Sequence, residues 1–492
     1  MTHASQVIGL PARLSLRTVA TVGVYVSIFF VILPGLLWVL GGRLDALLFL
    51  PPARGALVRW TGAALLLCGA AWMAWAMWLL WRGGRGLPIS HLPPVRLATF
   101  GPYAVSRHPI YVGYVAMFAG AGAMAGSAGR GLIVAAVLAV GSVIYALGFE
   151  EERLDRRFGP LYAAYRSATP AFPVPLPPSL RSALVILWER CRPLLERIAN
   201  RVVLVRVGPT TWVTYGAFAA VAATMIAAWM AAALGGAGVP TALIVWCLAG
   251  LAVAIPVGSR VLWVAYRLDQ LRVDPRGTLR QVGFVSWGGI IGLFGFGTLF
   301  ALIAHLDVLR LLDAAAMAGL AGQAVARIGC FTYGCCYGRP SALGIRWMSA
   351  ESKPVREHGA AGAVPRVPTQ LLSSAAAAIL CAAAVVVARR GAAPGAVAGL
   401  AFLGYGVIRC GTECLRADPR HGPWRLTQGQ VGSIVTATIG LILLLVIPTA
   451  DVRPAGLALD FARVLPLAPV LLVCSLLVLG VYGYHRRQVG RW

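Results

Sequence analysis

Hydrophobic positions in this chain come in long blocks. Uncharged apolar runs stand near 19–41, 61–81, 111–128, 132–149, 213–236, 239–257, 283–304, 311–326, 369–388, 395–408, 428–448 and 463–484. A helix needs about 20 such residues to cross a bilayer, so the pattern predicts a polytopic membrane protein with about 12 transmembrane helices. The segments lack the strict alternation of a membrane barrel, and open sheets leave backbone groups unpaired in lipid, so the expected fold class is all-α. The first run follows Arg13 and Arg17. It is too long for the core of a signal peptide and reads as a membrane anchor.

The polar positions interrupt this pattern in an informative way. Residues 173–206 begin proline-rich and become amphipathic, with Arg181, Glu189, Arg190, Arg192, Glu196, Arg197 and Arg201 among Leu184, Ile186, Leu187, Leu194, Leu195 and Ile198. That composition predicts a linker lying on a membrane surface between two membrane domains, 1–172 and 207–492, the second with an extra C-terminal helix.

Composition agrees with the membrane class: 59% of residues are hydrophobic and 12% charged. The net charge of +26, from 43 Lys and Arg against 17 Asp and Glu, would suggest nucleic acid in a soluble domain. Here the arginines cluster in loops and at segment ends, where they orient helices and meet anionic headgroups, so no nucleic-acid partner is expected. The ten cysteines lie scattered, mostly inside apolar runs, which excludes a secreted disulfide framework.

In the first half, two dense polar clusters flank an apolar pair of helices: FGPYAVSRHPIYVG at 100–113 and EEERLDRRFGPLYAAYRSATPAF at 150–172. A hairpin turning near Gly129 and Arg130 would set Arg107, His108 and Tyr111 beside Glu150, Glu151 and Glu152. Pro109 would stiffen the start of the helix and Gly113 would permit close approach. Arg82, Arg85, Arg96 and Arg107, with Arg153, Arg156, Arg157 and Arg166, put both clusters on the cytoplasmic side. These two motifs, in this order, resemble the isoprenylcysteine carboxyl methyltransferase and phospholipid methyltransferase superfamily. The resemblance implies S-adenosylmethionine as cofactor, framed by Tyr103, Arg107, His108, Pro109 and Tyr111, with Glu151 or Glu152 neutralising its ammonium group. It also implies a lipid-like methyl acceptor arriving from the bilayer.

In the second half, polar blocks recur in apolar context: VGPTTWVTYG (207–216), PVGSRVLW (256–263), FVSWGGIIG (284–292), LLDAAA (311–316), ARIGCFTYGCCYG (326–338), VPTQLL (367–372), RCGTECLR (409–416) and LTQGQVGS (426–433). An arginine at a membrane face needs an anion, and a planar guanidinium grips phosphate through two hydrogen bonds. Arg409 and Glu413, four apart, share one helix face and can hold each other between substrates. The ordered series resembles prolipoprotein diacylglyceryl transferase. That resemblance implies catalytic roles for Arg327, Arg409, Glu413 and Tyr215, and lipid-binding roles for Arg260, Arg327, Arg409, Arg416 and Gln430. It implies a phosphatidylglycerol-like phospholipid and a lipobox prolipoprotein as partners, in a bacterial cytoplasmic membrane.

Two positions depart from the family pattern, which has histidines where this chain has Trp287 and Val367. Glu413, His358 or His421 is left to take the proton of an attacking thiol. Cys330, Cys335 and Cys336 have no CxxC spacing, so the sequence predicts small packing residues and no metal. The combined expectation is a bifunctional transferase, a methyltransferase fused to a diacylglyceryl-transferase-like domain. The alternatives are an authentic diacylglyceryl transferase with an accessory methyltransferase, or a second half that only binds lipid.

Overall fold

The computed structural model describes residues 20, 23, 24, 26–84, 94–172, 178–281, 283–418, 426–449, 458–486 and 489. Arg85, His421 and the proline-rich start of the expected linker lie outside them. Among the described residues, ten helices are long and apolar enough to cross a membrane. The all-α polytopic class is therefore the observed one. The two other expected spans are also helical but miss that measure. One, Pro109–Met124, has 16 residues. The other, Ala396–Cys414, runs on past its apolar stretch into the polar turn holding Arg409 and Glu413, which lowers its hydropathy.

The chain divides into two compact units, Met1–Asp45, Leu50–Ser142 and Glu150–Val174 against Ala46–Phe49, Val143–Phe149 and Pro175–Trp492, counted over their described residues. In the first, α1 (Leu33–Leu48) and α2 (Ala56–Leu79) precede α3 (Pro109–Met124), α4 (Val134–Tyr145), α5 (Glu151–Phe158) and α6 (Pro160–Ala168). Helices α2 and α3 pack backbone to backbone. A Cβ on Gly69 would stand 2.9 Å from the Gly113 carbonyl, so only glycine allows this contact. That approach fixes the start of α3, where the first polar motif sits.

The second unit opens with α7 (Pro178–Ala199) and a strand pair, β1 (Val203–Val207) and β2 (Thr210–Val213). Only part of α7 is free to meet a membrane. Trp188, Leu195 and Ile198 pack against Ala199, Phe331, Ile345 and Trp347, while Ile186, Leu187 and Leu194 stay exposed. Asn200, just past the helix, takes hydrogen bonds from Met348 N (2.6 Å) and Ser349 N (2.8 Å).

The helices α8 (Thr214–Gly236), α9 (Thr241–Ala265), α10 (Ser286–Ile303), α11 (Val308–Tyr333), α12 (Thr369–Arg389), α13 (Ala396–Cys414), α14 (Gln428–Val446) and α15 (Ala468–Gly483) follow, with β3 (Pro340–Ile345) after α11. Met230, Cys247, Leu248, Ala301, Ala315, Ala318 and Leu471 form the core of α8–α11 and α15. The last strand, β4 (Tyr484–Arg486), pairs antiparallel with β2, setting Trp212 opposite Tyr484.

Candidate functional site

Each unit gathers its own polar cluster. In the first, Pro109 opens α3, where its missing N–H costs nothing, and His108 holds the N-cap position. The preceding strand of chain is sewn to the segment after α6. Arg107 N donates to Pro170 O at 2.9 Å and His108 N to Ala171 O at 3.3 Å. The Ser106 hydroxyl reaches Ala171 O at 2.8 Å, and the Tyr165 hydroxyl reaches the Tyr103 carbonyl at 2.6 Å. Arg107 spreads its donors over Thr169 O (2.6 Å), Arg166 O (3.0 Å) and, from Nε, Glu151 Oε1 (2.9 Å).

His108 is buried between the rings of Tyr111 and Phe172, with centroids 6.0 and 5.5 Å away. Its Nδ1 stands 3.4 Å from Glu150 Oε2 and its Nε2 3.3 Å from Glu151 Oε1. A neutral imidazole has one donor, whereas the imidazolium has two and can serve both carboxylates. Burial pulls the His108 pKa down, but the hydrogen bonds and charges of Glu150 and Glu151 outweigh it and leave it raised.

The structure brings Tyr103, Arg107, His108, Pro109, Tyr111 and Glu151 together. Glu152 faces away and pairs with exposed Arg156. Its place is taken by Glu150, which accepts from the Tyr111 hydroxyl at 2.8 Å. A π-helical turn over Ala146–Glu150 rotates the register, so two adjacent carboxylates face inward. Sequence reasoning also passed over Tyr162. It is fully buried beside Arg107, and its hydroxyl has no hydrogen-bond partner of normal geometry among the described residues.

In the second unit, Tyr405, Arg409 and Glu413 lie four apart on one face of α13. Arg409 Nη1 meets Glu413 Oε2 at 2.6 Å, and Arg416 Nη1 meets the same oxygen at 3.1 Å. Arg416 also makes a bidentate pair with Asp418, at 2.8 and 2.6 Å. The other Glu413 oxygen takes the Thr427 hydroxyl at 3.3 Å. Gly429 leaves the room for this carboxylate, because a Cβ there would run into it. All four charged side chains are nearly fully buried.

Arg327 approaches from α11 and is buried. With the Gln323 amide turned so that its oxygen faces the guanidinium, that oxygen accepts from Arg327 Nε at 2.7 Å and Nη2 at 2.9 Å, and from the Tyr405 hydroxyl at 3.3 Å. Arg327 Nη1 lies 3.6 Å from Cys336 Sγ. Among the described residues Arg327 has no carboxylate partner.

The remaining nominated residues stand differently. Gln430 completes a capping box with Thr427 at the start of α14 and donates to Cys414 Sγ at 3.5 Å, so it shapes the turn under Glu413. Tyr215 packs between Tyr333 and Tyr482, within electrostatic range of Cys330 and Cys335. Arg260 donates to Gly283 O (3.2 Å) and Leu279 O (2.8 Å) and lies over Trp263, sharing none of these contacts with the cluster. Trp287 packs against Tyr405 and covers Gly432. His358 meets the buried Tyr337 hydroxyl at 2.8 Å, and Tyr337 also reaches Glu357 at 3.0 Å. Burial and Glu357 push the Tyr337 pKa up to about 12.

The three cysteines of the α11 turn converge despite their irregular spacing. The chain reverses at Gly334 and at Cys336, both with positive φ, and all three Sγ atoms fall within 4.8 Å of one another. For a non-glycine residue such as Cys336, that conformation costs on the order of 1–3 kcal/mol.

Two segments of the chain are similar to known families. A family model for prolipoprotein diacylglyceryl transferase matches residues 202–446, and one for phospholipid methyltransferase matches residues 57–160. The phosphatidylglycerol–prolipoprotein diacylglyceryl transferase of Clostridium tetani is 32% identical over 191 residues, 38% of this chain and 74% of the relative. A second such enzyme, from Clostridium perfringens, is 29% identical over 38% of this chain and 72% of its own. That of Zymomonas mobilis is 29% identical over 41% of this chain and 70% of the relative. This chain is a membrane transferase of the prolipoprotein diacylglyceryl transferase family through residues 202–446, preceded by a phospholipid-methyltransferase-type segment at 57–160.

Proposed function

We propose that the protein is a bifunctional enzyme of the bacterial cytoplasmic membrane. Its second unit takes the diacylglyceryl group from a phosphatidylglycerol-like lipid, and its first unit methylates a lipid or lipidated product. The observation that carries the first half of this reading is Arg327, a buried guanidinium that among the described residues meets the Gln323 amide and the Cys336 thiol and no carboxylate. Such a charge calls for an anion. Among the described residues, the three guanidiniums of Arg327, Arg409 and Arg416 stand against the two carboxylates of Glu413 and Asp418. The surplus is one positive charge, which a phosphodiester matches.

Arg409 and Arg416 hold Glu413 until lipid arrives, and the phosphate then competes for the same donors. In transfer, the acceptor sulfur forms a bond to the glyceryl carbon as the bond from that carbon to the phosphate oxygen breaks. Glycerol phosphate leaves with the electron pair, and the guanidiniums neutralise the charge it gains. The thiol proton passes from the sulfur to solvent. Glu413 is occupied on both oxygens, and Trp287 and Val367 carry no acid–base group at the positions where the family has histidines.

The first-unit cluster suits S-adenosylmethionine by its donor set. Glu150 and Glu151 can take an ammonium group, Arg107 a carboxylate, and the buried Tyr162 hydroxyl is left for a polar ligand atom. When bound, this cofactor supplies an electrophilic methyl group. The rings of His108, Tyr111 and Phe172 stand together beside these groups.

The test is release of glycerol phosphate from headgroup-labelled phosphatidylglycerol, with a lipobox peptide as acceptor. The reading expects release, and a thioether-linked peptide, from the wild-type chain. Lipid binding without release, abolished by Arg327→Ala, would instead reduce the second unit to a lipid-presenting domain.

A further inference from the structure

Cys330, Cys335 and Cys336 are part-buried thiols outside any disulfide, and the proposed transfer leaves them unused. Their sulfurs lie within 4.8 Å of one another, near enough for one ion to reach all three. Three thiolates bound tetrahedrally at a Zn–S distance of about 2.3 Å stand roughly 3.8 Å apart, so small side-chain rotations would close the present triangle onto one ion.

The turn that carries them is held from outside. The Gln370 amide donates to Cys335 O at 2.7 Å, and the Thr369 hydroxyl donates to Cys336 O at 2.5 Å. Among the described residues the buried Gln370 Oε1 has no hydrogen-bond partner, which leaves it for a polar ligand atom nearby. Cys336 keeps a side chain in a left-handed conformation that glycine adopts freely, so the third sulfur is retained against backbone preference. Arg327 Nη1 lies 3.6 Å from Cys336 Sγ, which puts the trio beside the proposed phosphate site.

Three protein ligands with one position open is the arrangement zinc takes at catalytic sites, and a thiol on zinc is deprotonated outright. We infer that Cys330, Cys335 and Cys336 bind a thiophilic divalent cation, zinc by preference, whose fourth position takes the acceptor thiol as its thiolate. The inference rests on the diacylglyceryl-transfer reading and supplies what Trp287 and Val367 lack. The thiol gives its proton to solvent on binding, and its sulfur then bonds to the glyceryl carbon. The carbon–oxygen bond breaks, and glycerol phosphate carries off the electron pair. Nothing is oxidised or reduced.

The test uses the full chain in detergent under reducing conditions, with Zn²⁺ or Co²⁺ alone as probe. Wild type is expected to hold about one ion per chain and to show a thiolate-to-cobalt charge-transfer band. Cys335→Ser and Cys336→Ser should each bind at least tenfold more weakly, on the order expected for losing one of three ligands, while Cys191→Ser binds as wild type. If the variants fail to fold, alkylation of wild type decides. Zn²⁺ should protect Cys330, Cys335 and Cys336 but not Cys68 or Cys191.

Equal alkylation with and without Zn²⁺, or a disulfide within the trio in the reduced preparation, overturns the site. Glycerol phosphate release that persists after the metal is stripped overturns its role in activating the thiol. Zinc bound without any release leaves the site standing and sinks the transfer reading instead.

Discussion

Arg327 and Gln323 stand one turn apart on α11, the amide oxygen receiving the guanidinium's Nε and Nη2 hydrogens at 2.7 and 2.9 Å. A neutral partner orients the cation without discharging it, which keeps the site ready for an anionic lipid. Replacing Gln323 by Glu would supply that anion internally. Gln323→Glu is expected to hold or raise thermal stability while weakening phosphatidylglycerol binding by about tenfold or more, the worth of a charge-assisted contact. Vesicle binding and thermal unfolding of the same variant check both halves.

Arg327→Lys keeps the charge but loses the planar fork. Glycerol phosphate release should fall by roughly 10- to 100-fold, the cost of a hydrogen bond to a charged group. Unchanged release would mean that phosphate is bound elsewhere.

Glu413 sits between the guanidiniums of Arg409 and Arg416, and Arg416 has Asp418 as a second carboxylate. Glu413→Gln leaves Arg409 with no carboxylate partner in this cluster, and a broken buried pair costs about 3–5 kcal/mol. Thermal unfolding should show that loss. The double variant Glu413→Gln with Arg409→Met should recover part of it, whereas purely additive losses would contradict coupling.

In the first unit, Glu150→Gln and Glu151→Gln should each weaken binding of labelled S-adenosylmethionine, and Glu152→Gln should not. The difference follows from Glu152 pairing with Arg156 on the exposed side. Equal losses at all three positions would show that general surface charge, rather than this pair, holds the ligand.

His108 carries a pH signature. Its pKa is raised in the folded protein, so its ion pairs with Glu150 and Glu151 stabilise fully below its unfolded value of 6.5. That stability is lost as pH rises through the raised folded value. Thermal unfolding followed upward from pH 6 should show a decline that His108→Gln flattens. A decline toward acid in the same range, removed by that variant, would reverse the sign and refute the assignment.

The membrane class and both motif clusters were legible in the sequence because apolar block length and local motif order are local properties. The identity of the inward carboxylates was not, since one π-helical turn decides whether Glu150 or Glu152 joins Glu151. The cysteine convergence was hidden for a similar reason: positive φ at Gly334 and Cys336 reverses the chain, and irregular spacing cannot report that. Arg260 and Gln430 matched family positions in one dimension, and the fold gives them local contacts as well, two backbone carbonyls for Arg260 and a capping box for Gln430. Leu195 and Ile198 of α7 were assigned to the membrane with the rest of its apolar face because nothing in its periodicity distinguishes lipid from Trp347.

The central claim is two transferase sites in one chain, and one preparation can test it. Membranes containing the protein would be given methyl-labelled S-adenosylmethionine, headgroup-labelled phosphatidylglycerol and a lipobox peptide. Wild type should both release glycerol phosphate and transfer methyl label to an organic-soluble or lipidated product. Arg327→Ala should abolish the release, and Glu151→Gln should abolish methyl transfer while leaving release intact. Loss of both activities in Glu151→Gln, or neither activity in wild type, would contradict it.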